Sequence, residues 1–125
     1  MERLPAVLSG RVLHGKGLGQ EFEIPTANIE PVENIDGLVY GVYASDVRIG
    51  ERIFSGVTNL GVRPTVEDGE KVNAETFILD YDGDLYGKEI TVTLFRFMRK
   101  ERKFDSVEAL MEQIRRDIRS RRSIS

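Results

Sequence analysis

From Ala6 to Met98 the apolar residues fall in short runs of β-formers cut by turn residues, and a helical period appears only from Asp105 onward. The runs are "AVLSGRVL" (6–13), "LVYGVYASDV" (38–47), "RIFSGVTNLG" (52–61), "AETFILDY" (74–81) and "EITVTLFRFM" (89–98). Val, Ile, Tyr, Phe and Thr dominate them, and Gly, Asp and Asn separate them, which is the composition of strands joined by turns. Asp82-Gly83 is a hairpin signal, and Ser9-Gly10 inside the first run reads as a bulge or a close backbone approach. In the last run Ile90, Val92 and Leu94 share one face and Thr91, Thr93, Phe95 and Phe97 the other, so both faces are partly apolar and a cover is expected. The cover follows directly. Val107, Leu110, Met111, Ile114 and Ile118 form one apolar stripe of a helix over about 105–119. Asp105 reads as its N-cap with Glu108 as capping-box partner, and Arg115, Arg116 and Arg119 lie toward the end that favours cations. Five strands, a sixth if "IPTANI" (24–29) pairs, and one helix in so small a chain point to a mainly β, closed or nearly closed antiparallel barrel. Closure removes exposed strand edges, and the helix would pack on one side.

With 125 residues, 40% of them hydrophobic, and no linker or repeat, the chain reads as a single domain over 1–125. The absence of cysteine excludes disulfides and thiolate metal sites and suits a reducing compartment, so a cytoplasmic protein is expected. "MERLPAVLSG" has no basic segment followed by a long apolar run, so neither a signal peptide nor a membrane span is expected. The formal net charge of −3 weighs against binding nucleic acid through its phosphates.

The stretch "PTAN" (25–28) carries more chemistry than a loop needs. In an extended backbone Thr26 and Asn28 point the same way, and a hydroxyl with an amide carbonyl is hard-oxygen ligation suited to Mg²⁺ beside phosphates. Pro25 fixes its own φ and holds Ile24 extended. A plain turn satisfied by the same two side chains is the alternative. Upstream, Gly15, Gly17 and Gly19 could let backbone N–H groups approach a polyphosphate, or simply form a loop between strands. Glu75 interrupts an apolar strand, a position that usually faces solvent. Asp80, Asp82 and Asp84 resemble a calcium loop at first sight, but the glycine stands in the fourth place rather than the sixth, so calcium is rejected.

In sequence order, the glycine-rich turn, "PTAN", "GVYA" (41–44), "GVTNLGVRPTV" (56–66), "AETFILDYDGDLYG" (74–87) and "FRFMRKERKFDSVEALMEQIRRDI" (95–118) resemble the riboflavin kinase family, from about Ser9 to Ile118. The resemblance implies a closed six-stranded antiparallel Greek-key barrel with a C-terminal α-helix packed on it. It implies transfer of the γ-phosphoryl group of ATP to the ribityl 5′-hydroxyl of riboflavin, giving FMN and ADP, with Mg²⁺ as cofactor. By the same resemblance Thr26 and Asn28 hold the metal and the nucleotide phosphates, and Glu75 is the catalytic base. Gly15, with Lys16 and Gly17 beside it, falls where the family's loop meets the nucleotide, and Ile78, Asp80 and Tyr86 fall on the adenine side. Arg99, Arg102 and Phe104 match the segment that receives the flavin. In bacteria such a module is commonly joined to an adenylyltransferase domain, for which this chain has no room, so the expectation is a kinase module alone or one cut from a longer protein. The chain departs from the family at Gln20, where a basic residue is usual, at Glu23, where a glycine is usual, and at Phe77, where a histidine is usual. Two other classes fit parts of the pattern: a catalytically weak flavin- or nucleotide-binding sensor of the same fold, and a barrel that binds single-stranded nucleic acid, which the acidic charge disfavours.

Overall fold

A computed structural model describes residues 4–13, 25–30, 37–65 and 69–124. Among these residues six strands, β1 (Ala6–Arg11), β2 (Thr26–Ile29), β3 (Gly41–Ile49), β4 (Arg52–Thr65), β5 (Gly69–Ile78) and β6 (Glu89–Lys100), precede one helix, α1 (Val107–Arg122). They form one antiparallel sheet in the order β1-β6-β3-β4-β5-β2. β3, β4 and β5 follow one another as a meander, while β2 lies beyond β5 and β6 returns beside β3, both Greek-key connections.

The expected closed barrel is corrected to a curled half-barrel. Among the described residues its edge strands β1 and β2 share no ladder and meet at a single bridge, where the Leu13 N–H donates to the Asn28 carbonyl at 2.7 Å. β2 is only four residues long, and Pro25 just before it is turned to β5, its carbonyl accepting from the Ile78 N–H at 2.9 Å. Too little strand is left to zip the gap shut.

The two faces of the sheet bury different cores. Leu8, Ile29, Tyr43, Val47, Leu60, Ile78, Val92 and Leu94 fill the concave interior. On the outer face Val42, Val57, Phe77 and Leu79 meet Ile114 and Ile118 of α1. Strand parity decides the assignment: Ala74, Thr76 and Ile78 point inward, so Glu75 and Phe77 point outward beneath the helix. A chain of buried hydroxyls, Ser45 to Thr58 to Thr76, runs through the interior with both links at 2.8 Å. Each hydroxyl is thereby satisfied, which offsets the cost of burying it. Tyr43 donates its hydroxyl to the Val39 carbonyl, and burial pushes its phenol above the ordinary value.

Two sequence expectations fail for local reasons. In the β3–β6 ladder Val42 faces Arg99, Tyr43 faces Phe97, Ala44 faces Arg96 and Ser45 faces Leu94, so Met98 and Phe95 are each one residue extra. The first bulge met along β6, at Phe95, shifts the alternation, and Phe97 turns inward to meet Tyr43 edge-on at 5.3 Å. Phe97 therefore does not share a face with Thr91 and Thr93. The helix is capped by Ser106, not Asp105: the Ser106 backbone is extended (φ −150°, ψ 159°) and its hydroxyl accepts from the Ala109 N–H at 3.1 Å. Starting one residue later leaves Val107 58% exposed and outside the packed stripe. The helix also runs on to Arg122, so Arg119, Arg121 and Arg122 occupy its last turn. Among the described residues no helix is long and apolar enough to cross a membrane.

Candidate active site

Glu75 sits in β5 between two carboxamides. Asn28 of β2 is its register partner on one side and Asn59 of β4 on the other. The row continues across the outer face, because Asn59 faces Val42 of β3 and Val42 faces Arg99 of β6. One transverse line of the sheet thus carries Asn28, Glu75, Asn59, Val42 and Arg99 in order. Neighbouring strands are about 4.8 Å apart, so each member is one strand spacing from the next.

Above this row, the segment after β6 and α1 from Leu110 to Asp117 close a cavity of about 180 Å³. Glu75, Asn59, Val57 and Phe77 form its floor, and Glu101, Arg102, Phe104, Leu110 and Asp117 its walls and rim. The wall is built by a charge network. Arg99 donates from Nε and Nη2 to the two carboxylate oxygens of Asp117 at 2.9 and 2.7 Å, and from Nη1 to the Lys100 carbonyl at 3.1 Å. Gln113 donates to Asp117 Oδ1 at 3.0 Å and accepts from Arg102 at 3.1 Å. Arg102 and Arg99 both lie over the Phe104 ring, 5.3 and 6.0 Å from its centroid. The Glu101 carboxylate rests directly on Gly61, where even a Cβ would collide with it. An apolar floor with a few fixed polar groups is the ordinary chemistry of a small-molecule site.

Of the expected site residues, Glu75, Arg99, Arg102 and Phe104 come together around this cavity. Asn28 adjoins Glu75 through the sheet, and Thr26 stands two residues back on the same face, opposite Phe77. Ile78 does not join them: it is fully buried in the interior, on the other face of β5. Asp80, with φ of 62°, pairs with Arg122 at the far end of α1 (3.2 and 3.3 Å), away from the cavity. Tyr86 is 63% exposed in the turn whose Gly87 and Lys88 bond to Val12, beside the Leu13 bridge to Asn28. Gly15, Lys16, Gly17, Gln20 and Glu23 lie outside the described residues.

Residues without an expected role also belong here. Asn59 breaks a run of β-formers just as Glu75 does, and that interruption was its sequence signal. Asp117 stands three residues after Ile114 on the buried helix face, an acid where the stripe calls for an apolar residue. Among the described residues no cluster of three His, Cys, Asp or Glu side chains could hold a metal. The oxygens around Asn28 are chiefly carboxamide: Asn28 Oδ1 accepts from Asn73 Nδ2 at 3.4 Å and Asn73 Oδ1 is buried without a partner, with Glu75 the one carboxylate at the neighbouring register position. Such donors fit a hard cation whose charge is balanced chiefly by phosphate.

A family model described as flavokinase, riboflavin kinase, matches residues 3–125. The chain is 44% identical over 90% of its length to the bifunctional riboflavin kinase/FMN adenylyltransferase of Escherichia coli K12, covering 36% of that protein. It is 38% identical over 90% of its length to the RNA-binding riboflavin kinase RibR of Bacillus subtilis, covering 48% of it. The chain therefore spans less than half the length of these relatives. Among solved structures, a Streptococcus pneumoniae chain described as a macrolide-efflux protein superimposes with a TM-score of 0.84 at 31% identity, over 97% of this chain and 40% of that one. Riboflavin kinase from Trypanosoma brucei superimposes with a TM-score of 0.64 at 22% identity, over 95% of this chain and 78% of that one, a likeness of fold. With the family model matching nearly every residue, this chain belongs to the riboflavin kinase family.

Proposed function

We propose that this chain is an ATP:riboflavin 5′-phosphotransferase, making FMN and ADP. One observation carries the reading: Glu75 on the sheet and Arg99, Arg102 and Phe104 beyond it, distant in sequence, line one cavity. Phe104 under two guanidinium groups offers a flat, polarisable surface for an isoalloxazine ring. Arg99 is held in place by three hydrogen bonds, one from each guanidinium nitrogen, and offers the cavity its flat face and the two remaining N–H groups. With the ring there, the ribityl chain runs along the row toward Glu75.

Glu75 accepts the proton of the 5′-hydroxyl as that oxygen attacks the γ-phosphorus. The new O–P bond forms as the bond to the β,γ-bridging oxygen breaks, and ADP leaves. Phosphoryl transfer needs mainly positioning and charge neutralisation, so one base beside a phosphate site suffices. Thr26 and Asn28, with Asn73 behind Asn28, are the residues that would hold Mg²⁺, whose chemistry is to neutralise phosphate charge. Tyr86, near the same edge of the sheet, is assigned to the nucleotide side; Asp80, tied to Arg122, joins it only if that exposed pair opens. The reaction belongs in the cytoplasm, where ATP is available, and an adenylyltransferase unit or partner would consume the FMN.

Incubation with riboflavin and Mg-ATP, followed by chromatographic separation of flavins, tests the proposal. Appearance of FMN supports it. Flavin that stays bound and unphosphorylated would instead make the chain a sensor of the same fold.

A further inference from the structure

Two side-chain oxygens on the described surface of the sheet are buried and have no hydrogen-bond partner, Asn59 Oδ1 and Asn73 Oδ1. A carbonyl shut away from water without a donor is costly, so each invites the question of what completes it. Asn73 sits beside Asn28, on the side assigned to the metal and phosphates. Asn59 is different. It lines the cavity itself, directly across the ladder from Glu75 and one strand nearer to Arg99.

From this arrangement we infer that Asn59 positions the substrate by accepting a hydrogen bond from a secondary hydroxyl of the ribityl chain. The inference rests on the reading of the cavity as a riboflavin site. A chain whose terminal hydroxyl lies at Glu75 and whose ring lies toward Arg99 and Phe104 must cross β4 on the way. Asn59 is the polar group on β4 at that crossing, since Val57 is apolar and Gly61 is covered by the Glu101 carboxylate. Glu75 at the neighbouring register position is committed to the terminal hydroxyl, which leaves the hydroxyls nearest to it, at C4′ and C3′, for Asn59. The oxygen that is orphaned in the free protein is thus satisfied by substrate, and a polyol is preferred over a plain alkyl chain. Sites built to bond a hydroxyl reject analogues that lack it, because their own buried group is then left unpaired.

The test is a cycle on dissociation constants, read from flavin fluorescence, with riboflavin, 3′-deoxyriboflavin and 4′-deoxyriboflavin against the whole chain and its Asn59→Leu variant. Leu keeps the side chain's size and removes the orphan oxygen, so it is expected to fold. Asn59→Asp, which keeps an acceptor, serves as the second variant, and thermal unfolding checks both. The parent should bind one of the deoxy analogues about tenfold more weakly than riboflavin. Asn59→Leu should lose about the same factor for riboflavin and nothing further for that analogue, while Asn59→Asp should still discriminate between the two. Additive losses, or a Leu variant that discriminates as well as the parent, would overturn the role of Asn59. Binding that follows this cycle without any FMN being formed would strike the kinase reading and uphold Asn59; no riboflavin binding by the parent would overturn both.

Discussion

Replacing Glu75 by Gln keeps the shape of the side chain and one acceptor oxygen, but exchanges the other for an N–H donor group and removes the negative charge a proton acceptor needs. Glu75→Gln should lower kcat by about 10²–10⁴ while riboflavin binding stays close to normal. A Gln variant with near-parental kcat would remove the base from Glu75. Thr26→Val and Asn28→Leu probe the other end of the row. Each deletes one neutral oxygen donor, so each should raise the Mg²⁺ concentration for half-maximal activity and leave riboflavin affinity without nucleotide unchanged. Flat metal dependence in both variants would make the pair structural. At this scale the break that Glu75 makes in an apolar run read only as a solvent-facing position, and its place in the cavity floor, beneath the helix, shows in the structure alone. The sequence was least readable where family position and strand parity disagree: with Glu75 facing outward, Ile78 has to face inward, and its side chain lies in the interior core.

Helix α1 was legible because its period differs from that of every segment before it, yet its boundary was not, because Asp105 and Ser106 are both good caps. Backbone geometry decides between them, and only Ser106 has an extended backbone with its hydroxyl on the Ala109 N–H. Ser106→Ala should therefore cost about 1 kcal/mol in urea denaturation, and Asp105→Ala only a few tenths. Equal losses would put the cap back in doubt. The bulges of β6 at Phe95 and Met98 were equally hidden, since a bulge is a property of a strand pair and not of one strand's alternation. α1 also holds the wall of the cavity through Asp117, 5% exposed and paired with Arg99 at 2.7 Å. Removing one partner of so buried a pair strands the other, so Asp117→Ala should destabilise the fold by about 3 kcal/mol. It should also raise KM for riboflavin more than KM for ATP, as seen in steady-state kinetics. A variant with parental stability and unchanged KM would show that the wall stands without Asp117.

The molecule uses the two faces of one sheet for separate purposes. Its concave face is a packed interior threaded by the Ser45–Thr58–Thr76 hydroxyl chain, and its convex face carries the row from Asn28 through Glu75 to Arg99 under the helix. Arg121, 4% exposed, fastens the two parts: its guanidinium donates to the Ser45 and Gly56 carbonyls at 3.1 and 3.2 Å and to Asp46 at 3.2 Å. The barrel stays open between β1 and β2, at the edge where Asn28 meets Leu13. That places Thr26 and Asn28, proposed to hold the metal, at the rim of the sheet, and Arg99, Arg102 and Phe104, proposed to receive the flavin, on its covered flank, with Glu75 between them. The central claim is that a phosphoryl group crosses this boundary at Glu75, within this chain alone. ATP labelled at the γ-phosphate, mixed with riboflavin and Mg²⁺, tests it most directly. The account predicts label in FMN, one ADP for each FMN, with both lost together in Glu75→Gln. Label released only as inorganic phosphate, or riboflavin bound with no label transferred, would contradict it.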